Sequence, residues 1–599
     1  MKRYILFTVI LFTTIICAQQ NPINPQITSE EIKEHIRFLA SDELKGRFSG
    51  TAEERIAGDY IKRDFEINGL KPAFGQSYFQ EFPFIEKIEL TENNSLLFEM
   101  DGRKKSLDLF KDFITMPFSG KGKFNGQLIF TGYGISAPKL NYDDYEGIDV
   151  TNKIVVVMRY HPEHDSSKSS FDRLSSFRQK AITAKEKGAA GIIFINGFRP
   201  KNDEDNLTSL RYDGASGMKD FSVLQVKREL IDQLCKSNGL DLAELQNKID
   251  SSKKPSSFIF KNVNVSGETE TKEIEKIARN VGAVLEGNDP VLKNEYIVFG
   301  AHYDHLGIDQ AMGSSMYKGT DKQIHNGADD NASGTAGVIE LAEKFSSIKD
   351  KIKRSIIFLA FSGEELGILG STNFVNNPSV PIESIAAMLN MDMIGRLNEE
   401  SNLTIIGAGT SSQWKNILNE KNKYGFKLAF NDGGSGGSDH QSFSNKNIPV
   451  MFFFTGTHTD YHKPSDDWDK INFSGQENVT NYIYDVAYSI DQLEKRPDYV
   501  KVEEPTNRGA PRSRVTVGTV PEFGYSGNGY KLSGVTEGGP GAKAGMKSGD
   551  IIIKFGPKTV NNIYDFMYAI GDYKAGDKVD VVVLREGKEV TLNVELATK

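Results

Sequence analysis

Between about Val263 and Glu494, apolar strand-like runs alternate with Ala- and Gly-containing helical stretches, and the runs repeatedly end in a residue type that binds metal. Tyr296 to Ala301 leads into His302, Ser355 to Phe361 into Ser362-Gly363-Glu364-Glu365, and Ala386 to Met391 into Asp392; Pro449 to Phe454 leads into the loop holding Asp460, Tyr461 and His462. Such alternation predicts an α/β fold with a mixed, largely parallel sheet covered by helices. Open sheets of this kind bind ligands beyond the carboxyl ends of their strands, so these side chains should converge although they lie far apart in the chain.

Asn326 to Gly334 lies between the first two runs and precedes a predicted helix from Thr335 to Phe345, whose small residues let an Asp-bearing loop pack close beneath the others. Two His with three or four carboxylates and no Cys form an N/O donor set suited to zinc ahead of manganese or cobalt. Five ligands with one bridging carboxylate can serve two ions. In the adjacent pair Glu364-Glu365, one carboxylate can bind metal while the other moves protons, which is what metal-assisted amide hydrolysis requires. Any one carboxylate alone says little, because solvated Asp and Glu are common.

The segments Gly300 to His305, Gly327 to Gly334, Ser362 to Gly367, Asn390 to Gly395 and Tyr461 to Asp466 resemble the co-catalytic zinc aminopeptidase family, which also holds glutamate carboxypeptidases and relatives of the transferrin receptor. Its motifs occur in order and, with the opening Leu39 to Arg47, cover about half the chain. The resemblance implies two zinc ions per chain, with His302, Asp330, Glu365, Asp392 and His462 as ligands, Asp330 bridging and Glu364 as general base. It further implies that Asp304 orients His302 and that Tyr461 hydrogen-bonds the oxyanion. The acid before Asn331 is the bridging one, which selects Asp330 over Asp329. His305, Asp439 and His440 are expected as structural or supporting residues, and His458 as a residue lining the substrate pocket. Arg396 is a candidate to meet a substrate carboxylate.

Thr131 to Ile135, Tyr142 to Tyr145 and Lys187 to Phe194 resemble an inserted, β-rich protease-associated (PA) domain, implying a lid or recognition element. Gly538 to Ile552 resembles a PDZ domain, which binds extended peptide or protein C-termini at a sheet edge. Its carboxylate-binding loop is expected near Tyr525 to Tyr530. The chain thus divides into a zinc peptidase domain split over 25–107 and 263–494, a PA-like domain at 108–262, a polar linker at 495–511 and a PDZ-like domain at 512–599. The linker predicts that the last domain is separable from catalysis.

Local signals place a helix with its N-cap at Ser29, a second from Ala52 to Asn68, a third from Phe177 to Lys187 and a fourth near Asn562 to Gly571. Met1-Lys2-Arg3, the apolar run Tyr4 to Cys17 and Ala18-Gln19-Gln20 predict a signal peptide at 1–18, hence an exported protein, periplasmic or secreted. Ile16 stands where a lipid anchor on Cys17 would want a small residue, so cleavage after Ala18 is preferred. That leaves Cys235 alone, as core filler on a short helix, with no disulfide to form. No later run is long enough to span a bilayer, so the mature chain is expected to have no transmembrane segment. The 72 basic against 81 acidic residues give a net charge of −9, which provides no positive field for nucleic acid.

The leading expectation is a zinc-dependent exopeptidase, most simply an aminopeptidase acting on peptides. A single-zinc glutaminyl cyclase or a carboxypeptidase on the same scaffold is the alternative. A non-catalytic receptor would show eroded ligands, and none is eroded here.

Overall fold

The computed structural model describes residues 25–598 except 164–168, 200–204, 211–216, 309–313, 318, 320, 503–514, 522–528, 537, 561–565, 567–568 and 571–572. The expected signal peptide with Cys17, the linker from 503 onward, the PDZ loop up to 528 and most of the helix at 562–571 therefore lie outside the described residues. No helix among the described residues is long and apolar enough to cross a membrane.

Helices α1 (Ser29–Leu39) and α2 (Ala52–Ile67) open the described chain. The N-cap of α1 is Thr28 rather than Ser29, because the Thr28 hydroxyl accepts the Glu31 N–H at 3.3 Å. Ile32, Ile36 and Leu39 form the buried stripe that its periodicity requires.

A nine-stranded sheet forms the first layer. Its strands are β1 (Lys71–Pro72), β2 (Phe79–Leu90), β3 (Thr271–Leu285), β4 (Tyr296–His302), β5 (Ser355–Phe361), β6 (Ile385–Met391), β7 (Asn402–Ile406), β8 (Lys427–Asn431) and β9 (Val450–Phe454), in the order β1-β3-β5-β4-β6-β9-β7-β8 with β2 also paired to β3. The central β5-β4-β6-β9 are parallel; β1, β2 and β3 add antiparallel on one side, and β7 pairs antiparallel with β9 on the other. The parallel strands are buried along nearly their whole length because helices cover both faces. One face packs on α1, α2, α3 (Gly334–Ser347) and the long helix Phe473–Gln492, and the other on Phe374 and Val375 of the helix Leu369–Asn376 and on Phe443. A Cβ at Gly334 would stand 2.3 Å from the Met391 carbonyl oxygen, so only glycine lets α3 begin this close to β6.

An eight-stranded sheet carries the second core, in the order 103–106, 95–100, 258–269, 122–130, 154–158, 191–195, 222–226 and 113–115, with helices at Phe177–Glu186, Arg228–Ser237 and Leu242–Ser252. Here the pairing departs from the division expected at 107/108 and 262/263. Strands 95–100 and 103–106 pair within this sheet, and 258–269 is one continuous strand of it. The hairpin of 95–100 and 103–106 joins this sheet only through 258–269, a partner distant in sequence, so local periodicity gives no sign of the assignment. Cys235 is fully buried in this core, and burial pushes its thiol up to about 12, as a packing residue requires. A third sheet, from Thr519–Pro521 to Lys588–Glu595, has its own core around Leu532, Ile552, Phe555 and Val583.

Candidate metal centre

His302 is the last residue of β4, Glu364 and Glu365 follow β5, and Asp392 follows β6; the parallel register therefore brings their side chains to one sheet end. Asp330 comes from the loop before α3. Gly327 begins that loop at φ +58°, where a Cβ would meet the Asp330 carbonyl at 2.1 Å and the His305 ring at 2.5 Å. The Asp330-Asn331 peptide is cis.

Two donor groups share Asp330. In the first, His302 Nε2 lies 3.3 Å from Asp330 Oδ1 and 3.5 Å from Asp392 Oδ1. In the second, His462 Nε2 lies 3.2 Å from Asp330 Oδ2 and 3.3 Å from Glu365 Oε2. His305 joins this second group, with Nδ1 2.7 Å from Glu365 Oε1. The five residues named as ligands from the sequence are thus together, and Glu364 stands beside them, its Oε2 4.0 Å from His302 Nε2.

Electrostatics fit a cation pair. Among the described residues, Asp330, Glu364, Glu365 and Asp392 have only imidazoles as ion-pair partners, and Asp392 Oδ1 is buried with no hydrogen bond. Four carboxylates gathered in a buried site need positive charge. Burial, joined by the charges of Glu365, Asp439 and Asp392, pushes the Glu364 carboxyl well above the carboxylate range despite the opposing charge of His302, so further positive charge at the site would be needed to keep it ionised. Burial also acts on Asp330, but its hydrogen bonds with His302 and His462 outweigh it and hold the carboxyl well below that range. Burial and the nearby acids raise Tyr461 well above its ordinary value, so its hydroxyl stays protonated; its ring stacks on His462 at 3.9 Å.

His302, His462 and Asp392 are each held by a further contact. The His302 Nδ1–H meets the main-chain oxygen of Asp304 at 3.1 Å, whereas the Asp304 carboxylate is 3.7 Å away. That carboxylate instead accepts the Ser49 hydroxyl at 2.8 Å and the Glu364 N–H at 3.2 Å, so Asp304 steadies Glu364 as well as His302. His462 Nδ1 donates to the Ser314 carbonyl at 2.9 Å, and the Ser438 hydroxyl donates to Asp392 Oδ2 at 2.8 Å.

Two expectations, for His458 and Arg396, are revised by these contacts. His458 points at Asp329, 3.2 Å away, and is absent from the cavity wall. Arg396 is paired with Asp460 at 3.0 Å and does not line the cavity either. His440 is buried against Phe452, with ring centroids 4.7 Å apart, and burial lowers it to about 3, which leaves it neutral; its neighbour Asp439 is wholly buried behind the ligands.

Sequence reasoning gave no role to Arg47 or Asp466, although both close segments that carried the resemblance. Arg47 is fully buried and donates to the carbonyls of Leu39, Tyr303 (2.8 Å), Asn326 (2.6 Å) and Gly327 (3.1 Å), tying the His302 turn to the Asp330 loop. Asp466 Oδ2 accepts the N–H groups of Asp329 and Asp330 at 3.0 and 3.1 Å.

A cavity of about 770 Å³ opens on Asp330, Glu364, Glu365, Asp392, Tyr461 and His462. Met393, Ile406, Phe452 and Phe454 form an apolar cluster on its wall. Gly529, Tyr530 and Lys531 of the third sheet complete the wall, so the C-terminal unit is not apart from the site as the linker suggested.

Residues 280–487 match the family described as Peptidase family M28, residues 124–234 the PA domain and residues 512–596 the PDZ domain. "Aminopeptidase YwaD" of Bacillus subtilis (strain 168) is 29% identical over 186 residues, covering 29% of this chain and 40% of that protein. A "Probable zinc metalloprotease" of Pyrenophora teres f. teres (strain 0-1) is 37% identical over 125 residues, covering 21% of this chain and 24% of that protein. The chain therefore spans less than half the length of these curated relatives. Among solved structures, "Aminopeptidase from Aneurinibacillus sp. strain AM-1" is 21% identical with a TM-score of 0.47, over 81% of this chain and 98% of that one.

Proposed function

With a peptidase family M28 segment at 280–487, accompanied by PA and PDZ segments, as the premise, we propose that this protein is a zinc-dependent aminopeptidase that removes N-terminal residues from peptides. The observation that carries this reading is the pair of donor groups sharing Asp330, with Glu364 beside them at the floor of a substrate-sized cavity. His302, Asp330 and Asp392 would hold one zinc ion, and Asp330, Glu365 and His462 the other. Bound zinc supplies Lewis acidity toward a peptide carbonyl and toward water.

The chain's own residues do the rest. The Glu364 carboxylate accepts the proton of the attacking water and returns it to the departing amine nitrogen. Asp304, through the Glu364 N–H, fixes the base. The Tyr461 hydroxyl donates a hydrogen bond to the carbonyl oxygen as it gains negative charge. Met393, Ile406, Phe452 and Phe454 exclude water beside the scissile bond and favour an apolar first side chain.

A free amino terminus suits a cavity whose charged lining is acidic apart from His462 and Lys531. The carboxypeptidase alternative lacks its candidate, because Arg396 is paired with Asp460. A single-ion cyclase would leave the second donor group unused. Export to the periplasm or beyond, with a peptide or protein C-terminus bound at the PDZ-like unit, is part of the same proposal. The test is hydrolysis of aminoacyl and carboxyl-terminal peptide substrates, with zinc content and ammonia release measured on one preparation. Two zinc ions with cleavage of leucyl p-nitroanilide are expected; ammonia release from N-terminal glutamine with one zinc would overturn the reading.

A further inference from the structure

A second, larger cavity of about 1260 Å³ lies between the peptidase sheet and the eight-stranded sheet. Phe82 and Phe84 of β2 and Leu369 line it on one side, and Met116, Phe118 and Arg178 on the other, with the Arg178 guanidinium 4.7 Å above the Phe118 ring. Glu365 and Ser314 line both this groove and the 770 Å³ cavity. The two spaces therefore meet at a zinc-ligand candidate and at the residue whose carbonyl holds His462.

We propose that this groove holds the departing part of an extended peptide, the residues that follow the scissile bond, and favours apolar side chains there. The inference rests on the aminopeptidase reading and adds the substrate class that the reading leaves open. A peptide with its first residue in the smaller cavity has its scissile bond over the donor groups and continues past Glu365 into the groove. The volume exceeds the ~300–1,000 Å³ of a pocket for one small molecule, so it accepts more than one residue. Four consecutive residues of β2, Phe82 to Ile85, line the groove, and among the described residues β2 has a strand partner on one edge only. An extended chain can lie along the other edge, with its side chains against the phenylalanines.

The test uses the full-length, zinc-loaded protein with three substrates: leucyl p-nitroanilide, which carries a single aromatic ring and no peptide chain beyond the scissile bond, and the peptides Leu-Phe-Phe-Ala and Leu-Asp-Asp-Ala. The wild-type protein should cleave the phenylalanine peptide with a kcat/KM about tenfold or more above that of the aspartate peptide. Ser209→Trp and Asn376→Trp place bulk from exposed positions on opposite rims of the groove. Each should lower kcat/KM for Leu-Phe-Phe-Ala about tenfold relative to leucyl p-nitroanilide. Equal rates on the two peptides, or rim variants that change both substrate types alike, would overturn the groove assignment while leaving the peptidase reading intact. No cleavage of leucyl p-nitroanilide by the zinc-loaded wild type would overturn the peptidase reading itself. Peptide discrimination by the wild type decides the matter even if a rim variant fails to fold.

Discussion

His305 Nδ1 lies 2.7 Å from Glu365 Oε1, with both side chains buried, so the carboxylate is gripped on one oxygen by His305 while the other faces His462. His305→Ala should free Glu365 to rotate and weaken one of two bound zinc ions by about 10- to 100-fold, the usual cost of losing a ligand's hydrogen-bond partner. Competitive chelator titration should then show one weak and one tight site. Two sites of unchanged affinity would show that Glu365 is held without His305.

Within the acidic pair the two residues should separate by readout. Glu364→Gln should retain two zinc ions and lose turnover by about 10²–10⁴, since it removes the proton carrier. Glu365→Gln should release zinc. Metal analysis and steady-state kinetics on both variants check the assignment, and the reverse pattern would exchange the roles.

Arg47→Met should destabilise the peptidase unit by at least about 1–3 kcal/mol, the cost of leaving a buried carbonyl without its donor. Burial lowers the guanidinium to about 10, so it remains charged while it serves four carbonyls. Denaturant unfolding followed by tryptophan fluorescence is the measurement. Both tryptophans, Trp414 and Trp468, belong to this unit.

His35 gives the same unit a pH dependence. Its Nε2 lies 3.4 Å from Glu340 and its Nδ1 2.7 Å from the Tyr60 hydroxyl. Burial alone would lower the imidazole, but the hydrogen bond and charge of Glu340 outweigh it and the net shift is upward from 6.5. A group raised on folding stabilises fully below its unfolded value and loses that contribution as pH rises through the folded one. The midpoint of unfolding should therefore fall between pH 6 and pH 8 by more in the wild type than in His35→Gln. Parallel curves for the two proteins would assign the pH dependence to other groups.

Removal of the C-terminal unit should be felt at the site. A chain ending at Glu503 loses Gly529, Tyr530 and Lys531 from the cavity wall, so KM for leucyl p-nitroanilide should rise several-fold with two zinc ions retained. An unchanged KM in the truncated, zinc-loaded protein would restore the separability that the polar linker suggested.

By itself the sequence determined where the turns that carry the candidate ligands are. His302, Glu364, Glu365 and Asp392 each follow an apolar run, and parallel strands expose their carboxyl ends on one side, so local pattern plus sheet geometry suffices to gather them. Other features depend on surfaces that meet only after each unit has folded. The strand at 95–100 pairs with 258–269, across a span no periodicity bridges. Arg47 reaches carbonyls on two loops, Phe118 and Arg178 face Phe82 across a groove, and Lys531 enters the wall of a cavity built by another sheet. Side-chain type and spacing encode local conformation, whereas these contacts follow from long-range packing and complementary shape, which the tertiary structure alone decides.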